Sequence, residues 1–217
     1  MRAIGVGPLA ALASPGHDDQ TRDRLLRAAV GVFDEKGYAA ASVREIVAQA
    51  GVTKPALYYH FGSKEGLLLA VLEHAARRFE DTLSRAARRP GSTRERLLSL
   101  GEDLYSLFQE HLPAVRVAHA LFLAPAGAAP AFDFSVFHRT LHRALRHIVQ
   151  EGLAAGEVPP TSPEDVAIAI SGVIGACAAR QFHPGLEPIA PADLRRVLEM
   201  VFDGILVSRP AAGAPPQ

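Results

Sequence analysis

Seven residues near position 55 could form one binding surface, because small and polar residues start a predicted helix and aromatic residues follow one turn later. Lysine at a helix start can donate to guanine O6 and N7, while proline, alanine and the threonine methyl can touch a thymine methyl. Tyrosine hydroxyls and an imidazole N–H can donate to phosphates, which fixes register on DNA. The residues are Thr53, Lys54, Pro55 and Ala56, then Tyr58, Tyr59 and His60.

Two further residues stand where a phosphate could bind. Ser42 and Lys64 lie at the starts of two flanking helices, where free N–H groups and the helix dipole favour an anion. The alternative is that the tyrosines are half-buried packing residues and the lysines belong to a solvated face.

Two short helices joined by a glycine turn must position these residues. Ser42 and Glu45 form a predicted capping box that starts one helix, and Gly51 ends it. Thr53 is predicted to cap the next helix, which tolerates Pro55 in its first turn. This helix is too short to be stable alone, so we expect Leu57 and Phe61 to pin it to its neighbours. The arrangement predicts a helix-turn-helix.

Glycine and proline residues divide the rest of the sequence into helical segments, which predicts an all-α chain of about nine helices. The first predicted helix spans 19–36 and is ended by Gly37, and a long helix capped by Ser63 ends near 88–91. The remaining predicted helices span 93–111, 113–123, 132–155, 163–182 and 191–208. We expect a disordered arm at 1–17, a DNA-binding domain at 18–65, a helical domain at 66–208 and a disordered tail at 209–217.

Composition excludes several classes of protein. The chain has 217 residues, and its 23 basic and 23 acidic residues cancel, so global charge does not argue for nucleic acid. No apolar run approaches the ~18 residues of a membrane span. The single cysteine, Cys177, excludes an internal disulfide and fits a reducing cytoplasm. The N-terminal segment is a weak candidate for an export signal, because glycine and proline interrupt its apolar run.

The residues from about Arg24 to Leu72 resemble the TetR/AcrR family of bacterial one-component transcriptional regulators. The resemblance rests on Leu25-Leu26, Ala28-Ala29, Phe33, Glu35-Lys36-Gly37-Tyr38 and the run SVREIVAQAGVTKPALYYHFGSKEGLLLAVLE. Pro55 and Gly62 depart from the residues that the family often has there. The matching region covers under a quarter of the chain, but its pattern is highly specific.

The resemblance implies a homodimer on a palindromic operator, with a C-terminal domain that binds a small molecule and dimerises through its last two long helices. Apolar stripes on the helices at 163–182 and 191–208 support this, since small residues between them allow close helix approach. The alternative is that the stripes fill a monomer core. The predicted dimer residues are Val166, Ile170, Val173, Ile174, Cys177, Leu194, Leu198, Val201, Phe202 and Ile205.

The helices at 93–155 are expected to surround an effector pocket that is mainly apolar, which favours a hydrophobic, weakly charged ligand. The candidate lining residues are Leu104, Phe108, His111, Val115, His119, Phe122, Phe134, Phe137, His138 and Leu141. Taken singly, each of these residues is better explained as plain core than as pocket lining. His138 and His142 share a helical face, but without a glutamate between them or a cysteine nearby we predict no metal and no other cofactor.

The resemblance therefore implies a ligand-responsive regulator, most simply a repressor, which is the family's usual mode, that leaves a palindromic operator when an effector of unknown identity binds. The residues themselves leave repressor and activator open. Two alternatives remain. One is an architectural DNA-binding protein without a ligand, and the other is a helical enzyme, although the chain has no GxSxG, P-loop, HExxH or paired-carboxylate motif.

Overall fold

The computed structural model describes residues 17–125, 127–182 and 185–205, except the side chains of His17 and Ile205. Over these ranges the chain is all-helical, which confirms the predicted fold class. The predicted tail and, apart from the His17 backbone, the predicted arm lie outside the described residues. The helices are α1 His17–Ala40, α2 Val43–Ala50, α3 Lys54–Phe61, α4 Lys64–Ala87, α5 Thr93–Glu110, α6 Leu112–Phe122, α7 Ser135–Ala154, α8 Pro163–Ala179 and α9 Pro191–Ile205.

The chain divides into an N-terminal unit, up to Ala70, and a C-terminal unit from Val71. In the N-terminal unit, α1 packs against α2 and α3, and α2 packs against α3. Leu25, Ile46 and Leu57 are fully buried between them. Burying a leucine side chain contributes about 1.5–3 kcal/mol, and Leu57 thereby holds a helix of only eight residues in place.

Two helix ends in this unit differ in detail from the prediction. Gly37 does interrupt the first helix as predicted, with non-helical backbone (φ 76°, ψ 161°), but a short helical segment follows it to Ala40, so α1 is two helices joined across a kink. A glycine tolerates this positive φ because it lacks a Cβ. Thr53 does occupy the N-cap position of α3, yet its side chain makes no capping hydrogen bond. The cap of α2 and the Ser63 cap of α4 form as predicted, the latter through Gly66 N–H to Ser63 Oγ at 2.9 Å.

The C-terminal unit is built around α5, which packs against α6, α7, α8 and α9. Leu97, Leu100, Leu104 and Tyr105 of α5 are at most 1 % exposed. The Tyr105 hydroxyl donates to the Ile189 carbonyl at 2.9 Å, so its one polar atom is satisfied. The later helices are shorter than predicted, since α7 begins at Ser135 and α8 ends at Ala179.

Within the described ranges, none of the helices has both the length and the apolar character needed to cross a bilayer.

Candidate functional site

The start of α2 is fixed by a reciprocal pair of hydrogen bonds. Ser42 Oγ accepts from the Glu45 N–H at 3.3 Å, and Glu45 Oε2 accepts from the Ser42 N–H at 3.0 Å. Lys36 Nζ lies 2.6 Å from Glu45 Oε1. Hydrogen bonds from Lys36 and Ser42 lower the pKa of the Glu45 carboxyl to about 2. Ser42 is exposed, but its hydroxyl is already engaged in this capping box.

The outer face of α3 presents the residues expected to contact DNA. Lys54 and Pro55 are exposed, and Ala56 is half-buried. The side chains of Tyr58 and Tyr59 are 50 % and 77 % exposed. Thr53, just before the helix, is also exposed. The exposure of the two tyrosines argues against the alternative in which they are packing residues.

Two of the predicted DNA contacts point elsewhere. The His60 side chain is only 7 % exposed, and its Nε2 lies 3.5 Å from Asp18 Oδ1. The Lys64 ammonium donates to the carbonyls of Tyr38 and Ala41, each at 2.9 Å. The predicted phosphate contacts by these two side chains are therefore corrected, because both groups are directed at the protein itself.

The sequence reasoning missed Arg44, which lies in the first turn of α2 and is exposed. In a helix-turn-helix the first helix crosses the DNA backbone, so an exposed arginine there can reach phosphate. The available signal was its position between Val43 and Glu45, away from the apolar face that Ile46 and Val47 define.

A groove of about 350 Å³ lies between α4 on one side and, on the other, the first turns of α7 with the residues just before it. Its apolar lining includes Phe79, Phe132, Val136 and Phe137, and its rim is charged on both sides. Phe79 and Phe137 meet edge to face, with ring centroids 5.2 Å apart. A mainly apolar recess of this size with a few charged groups suits a small molecule.

Only part of the predicted pocket lies at this groove. Phe137 lines it, Phe108 stacks on Phe79, and Phe134 pairs with both Phe132 and Phe122. The other predicted lining residues lie as follows: Leu104 and Leu141 are buried in the core, Val115 and His119 are half-buried with His119 stacked on Phe182, and His138 is exposed. Leu104 and Leu141 are corrected to core residues.

His111 lies between α5 and α6. Among the described residues, its Nε2 is one of the few buried side-chain atoms with no hydrogen-bond partner. Burial is the main cause that lowers the pKa of His111, and the positive charge of the nearby Arg78 lowers it further. The imidazole is therefore held in its neutral form over a wider pH range, and a buried nitrogen of this kind is free to bond a ligand.

His138 and His142 do share a face of α7, with ring centroids 3.9 Å apart. His142 is committed to the protein, since its Nδ1 lies 3.1 Å from Glu164 Oε1 and its Nε2 lies 3.1 Å from Ser171 Oγ. The described part of the chain contains no group of three or more histidine, cysteine or acidic side chains placed to hold a metal ion.

Most of the predicted dimer residues lie inside the protomer. Their side chains pack against α5 and α7 in one core, so they are already covered by their own chain: Val166, Ile170, Ile174, Cys177, Leu194, Leu198 and Phe202, each at most 8 % exposed. These seven are withdrawn from the predicted interface. Val173 and Val201 are half-buried, and the side chain of Ile205 lies outside the described residues.

The opposite sides of α8 and α9 carry exposed apolar and small residues instead. Ile168 is 55 % exposed and Met200 is 70 % exposed. Gly172, Gly175 and Gly204 are also exposed, and a Cβ added at any of them would meet no atom within 4 Å. We call these five residues the outer face of α8 and α9. Its glycines are not required by packing within one chain.

Comparison with known proteins places this geometry among bacterial regulators. Residues 25–71 match the family described as bacterial regulatory proteins, tetR family. The chain is 29 % identical over 203 residues to the HTH-type transcriptional repressor KstR2 of Mycolicibacterium smegmatis, covering 90 % of this chain and 96 % of that protein. It is 42 % identical over 93 residues to the HTH-type transcriptional activator FasR of the same species, covering 43 % of this chain and only 42 % of FasR.

Two further similarities extend over most of the chain. The A-factor receptor protein of Streptomyces griseus is 28 % identical over 195 residues, which cover 89 % of this chain and 57 % of that protein. The crystal structure of the TetR family transcriptional regulator PfmR from Thermus thermophilus superposes with a TM-score of 0.62 at 23 % identity, covering 88 % of this chain and 98 % of that one. At this identity the structural likeness shows the fold.

Proposed function

Since the chain belongs to the TetR/AcrR family of bacterial transcriptional regulators, and is a DNA-binding regulator rather than an enzyme, we propose that it is a homodimeric repressor released from a palindromic operator by a small hydrophobic effector. The exposed face of α3 is the observation that carries the proposal. Its two large aromatic side chains are left in solvent by the N-terminal unit, and they follow directly on an exposed lysine.

The roles on DNA follow from position along α3. Thr53, Lys54, Pro55 and Ala56 meet base edges, because the first residues of a recognition helix enter the major groove. Tyr58 and Tyr59 donate to phosphates on the groove wall. Ser42 marks the start of α2 at the DNA backbone, and Arg44 adds a charged phosphate contact beside it.

Dimerisation uses the outer face of α8 and α9 in this proposal. Glycines in open space let a second pair of helices approach closely, and Ile168 and Met200 supply apolar area at the contact. A two-fold axis through this face would present two copies of α3, as a palindromic operator requires. On one face of DNA those copies would lie about 34–36 Å apart.

The effector is proposed to bind in the C-terminal unit at the groove beside Phe79 and Phe137. The relative named as a receptor for A-factor supports ligand binding by a protein of this organisation. The apolar lining favours a hydrophobic molecule, and the charged side chains at the rim of the groove offer polar contacts to it. Effector binding releases the operator if the effector prefers a dimer state whose α3 helices are spaced differently. KstR2 is named a repressor, which supports this sign of regulation.

An electrophoretic mobility shift on DNA from the region upstream of the gene tests the proposal. The double variant Lys54→Ala/Tyr58→Ala is expected to lose specific binding, because it removes a base contact and a phosphate contact from each α3. Arg143→Ala, which changes an exposed cation of α7 in the C-terminal unit, is the control and should bind normally. Unchanged binding by the double variant would overturn the assignment of α3. An equal affinity of wild type for random DNA would favour the architectural alternative.

A further inference from the structure

The first turn of α4 is bonded to the last turn of α1 and to the residue that follows it. Lys64 Nζ donates to the carbonyls of Tyr38 and Ala41 at 2.9 Å each, and lies 3.5 Å from the carbonyl of Ala39. The same ammonium lies 4.5 Å from the centroid of the Tyr38 ring. One cation thus satisfies several backbone acceptors that the end of α1 leaves without helical partners.

The same turn of α4 is also in close contact with the end of α3. A Cβ at Gly66 would lie 2.1 Å from the Phe61 carbonyl oxygen, so the backbone of α3 approaches α4 at a distance that only glycine permits. Ser63, which caps α4, donates its own N–H to the same carbonyl at 2.8 Å. Both helices of the helix-turn-helix are therefore held at the start of α4, α3 through Gly66 and α2 through Lys64.

The Lys64 ammonium holds the chain immediately before the DNA-facing residues of α2. Ala41, whose carbonyl it binds, is 3 % exposed, and the next residue is the N-cap Ser42. Because the ammonium is half-buried and surrounded by these acceptors, turning it toward a phosphate would leave the carbonyls at the end of α1 without this donor.

We propose that Lys64 is a positioning residue, which fixes the end of α1 and the start of α2 on the first turn of α4 and affects operator binding without touching DNA. The effect on operator binding rests on the proposed function, because it requires that the protein binds an operator. The contact itself is a property of the free protein. The Tyr38 ring, which packs against Phe33 at 5.6 Å between centroids, is the second half of the same contact.

The salt dependence of operator binding separates positioning from a phosphate contact. Each lost phosphate contact lowers the slope of log K against log salt by about 0.9. Lys64→Met is expected to weaken binding roughly tenfold at every salt concentration, as the loss of a charged hydrogen bond would, with the wild-type slope. A slope reduced by about 0.9 per protomer would overturn the proposal.

Tyr38→Leu provides a second variant that changes no charge and keeps apolar contact with Phe33. It is expected to weaken operator binding with an unchanged slope, whereas a Lys64 that contacts phosphate directly predicts wild-type binding for this variant. Lys54→Met is the contrasting variant for the measurement of hydrogen exchange. It removes an exposed lysine of α3 that is proposed to contact bases, so it should weaken operator binding and leave the contact between α1 and α4 intact.

Hydrogen exchange in the absence of DNA completes the test and does not depend on the proposed function. In Lys64→Met the amides of residues 38–48 should exchange several-fold faster than in wild type, because the joint between α1 and α2 opens more often. Lys54→Met should leave them unchanged. Wild-type exchange in Lys64→Met would overturn the positioning role, even if operator binding were lost. If wild type bound no operator and Lys64→Met still exchanged faster, the proposed function would be refuted, but the structural role of the Lys64 contact would stand.

Discussion

Helices α3 and α8 both expose apolar carbon, but the exposed residues differ in chemical type. α3 keeps one fully buried residue, Leu57, and turns two tyrosines outward, each with a hydroxyl at its tip. α8 buries six residues along one side and exposes Ile168 with glycines on the other. Aromatic rings with polar tips suit a wet, charged partner such as DNA, whereas aliphatic and glycine surface suits dry contact with another helix.

The largest effect should come from placing charge on the outer face of α8 and α9. The double variant Ile168→Asp/Met200→Asp should be a monomer, because two-fold symmetry would place four carboxylates in one apolar contact. Losing the second α3 removes the gain from bivalent binding, which is about 10²–10⁴-fold in affinity. Light scattering should show half the wild-type mass, and the mobility shift should disappear. A dimer that still binds the operator would contradict this assignment of the interface.

The second comparison is between inward and outward residues of α9. Phe202 is fully buried and Met200 is 70 % exposed. Phe202→Ala should lower the free energy of unfolding by about 3–5 kcal/mol through loss of burial and creation of a cavity. Met200→Ala should change the stability of the isolated protomer by less than about 0.5 kcal/mol. Urea titrations at low protein concentration measure both, and similar losses would mean that α9 is oriented differently.

Two glycines test the same difference between positions packed inside the protomer and positions on the outer face of α8 and α9. A Cβ at Gly152 would lie 2.2–2.9 Å from three atoms of the Thr93 side chain, while a Cβ at Gly172 would meet nothing within 4 Å. Gly152→Ala should therefore destabilise the protomer by about 1–3 kcal/mol. Gly172→Ala should stabilise the free protomer by about 0.5–1 kcal/mol, since alanine favours helix, and should weaken the dimer. Thermal unfolding and sedimentation at several concentrations distinguish the two effects.

What the sequence could predict differs between the two units for a physical reason. In the N-terminal unit, the Ser42–Glu45 box and Gly51 determine where α2 begins and ends through contacts with near neighbours in sequence. α8 is apolar almost all round, so periodicity predicts the helix but offers two possible buried faces. The choice of Ile170 and Ile174 as interior residues depends on where α5 lies, which is tertiary information.

The same limit explains the two corrected contacts near α3. His60 and Lys64 have the right chemistry for a phosphate, and their spacing places them near the recognition helix. Their actual partners, Asp18 and the carbonyl of Tyr38, lie 42 and 26 residues away in the chain. A side chain that can bond either DNA or its own protein cannot be assigned from spacing alone. The exposure of Tyr58 and Tyr59 can be predicted, because Leu57 marks the buried face of α3 and the two tyrosines lie on other faces of the helix.

The smallest expected effect concerns the capping box, and it is visible in pH dependence. The pKa of Glu45 is about 2 in the folded protein, below its ordinary value of 4.5. A carboxyl with a depressed folded pKa stabilises the protein above its unfolded pKa, and that stabilisation is lost as pH falls from about 4.5 toward 2. The difference in unfolding free energy between wild type and Glu45→Gln should therefore shrink over this range.

The measurement is a set of urea titrations of both proteins between pH 7 and pH 2.5, with Lys36→Gln and the double variant completing a cycle. Because Lys36 and Ser42 are the hydrogen-bond donors that depress this pKa, Lys36→Gln alone should remove part of the pH dependence. A difference between wild type and Glu45→Gln that stayed constant with pH would show that the carboxylate does not hold the start of α2. In that case the placement of the whole DNA-facing surface would have to depend on the contacts that α4 makes through Lys64 and Gly66.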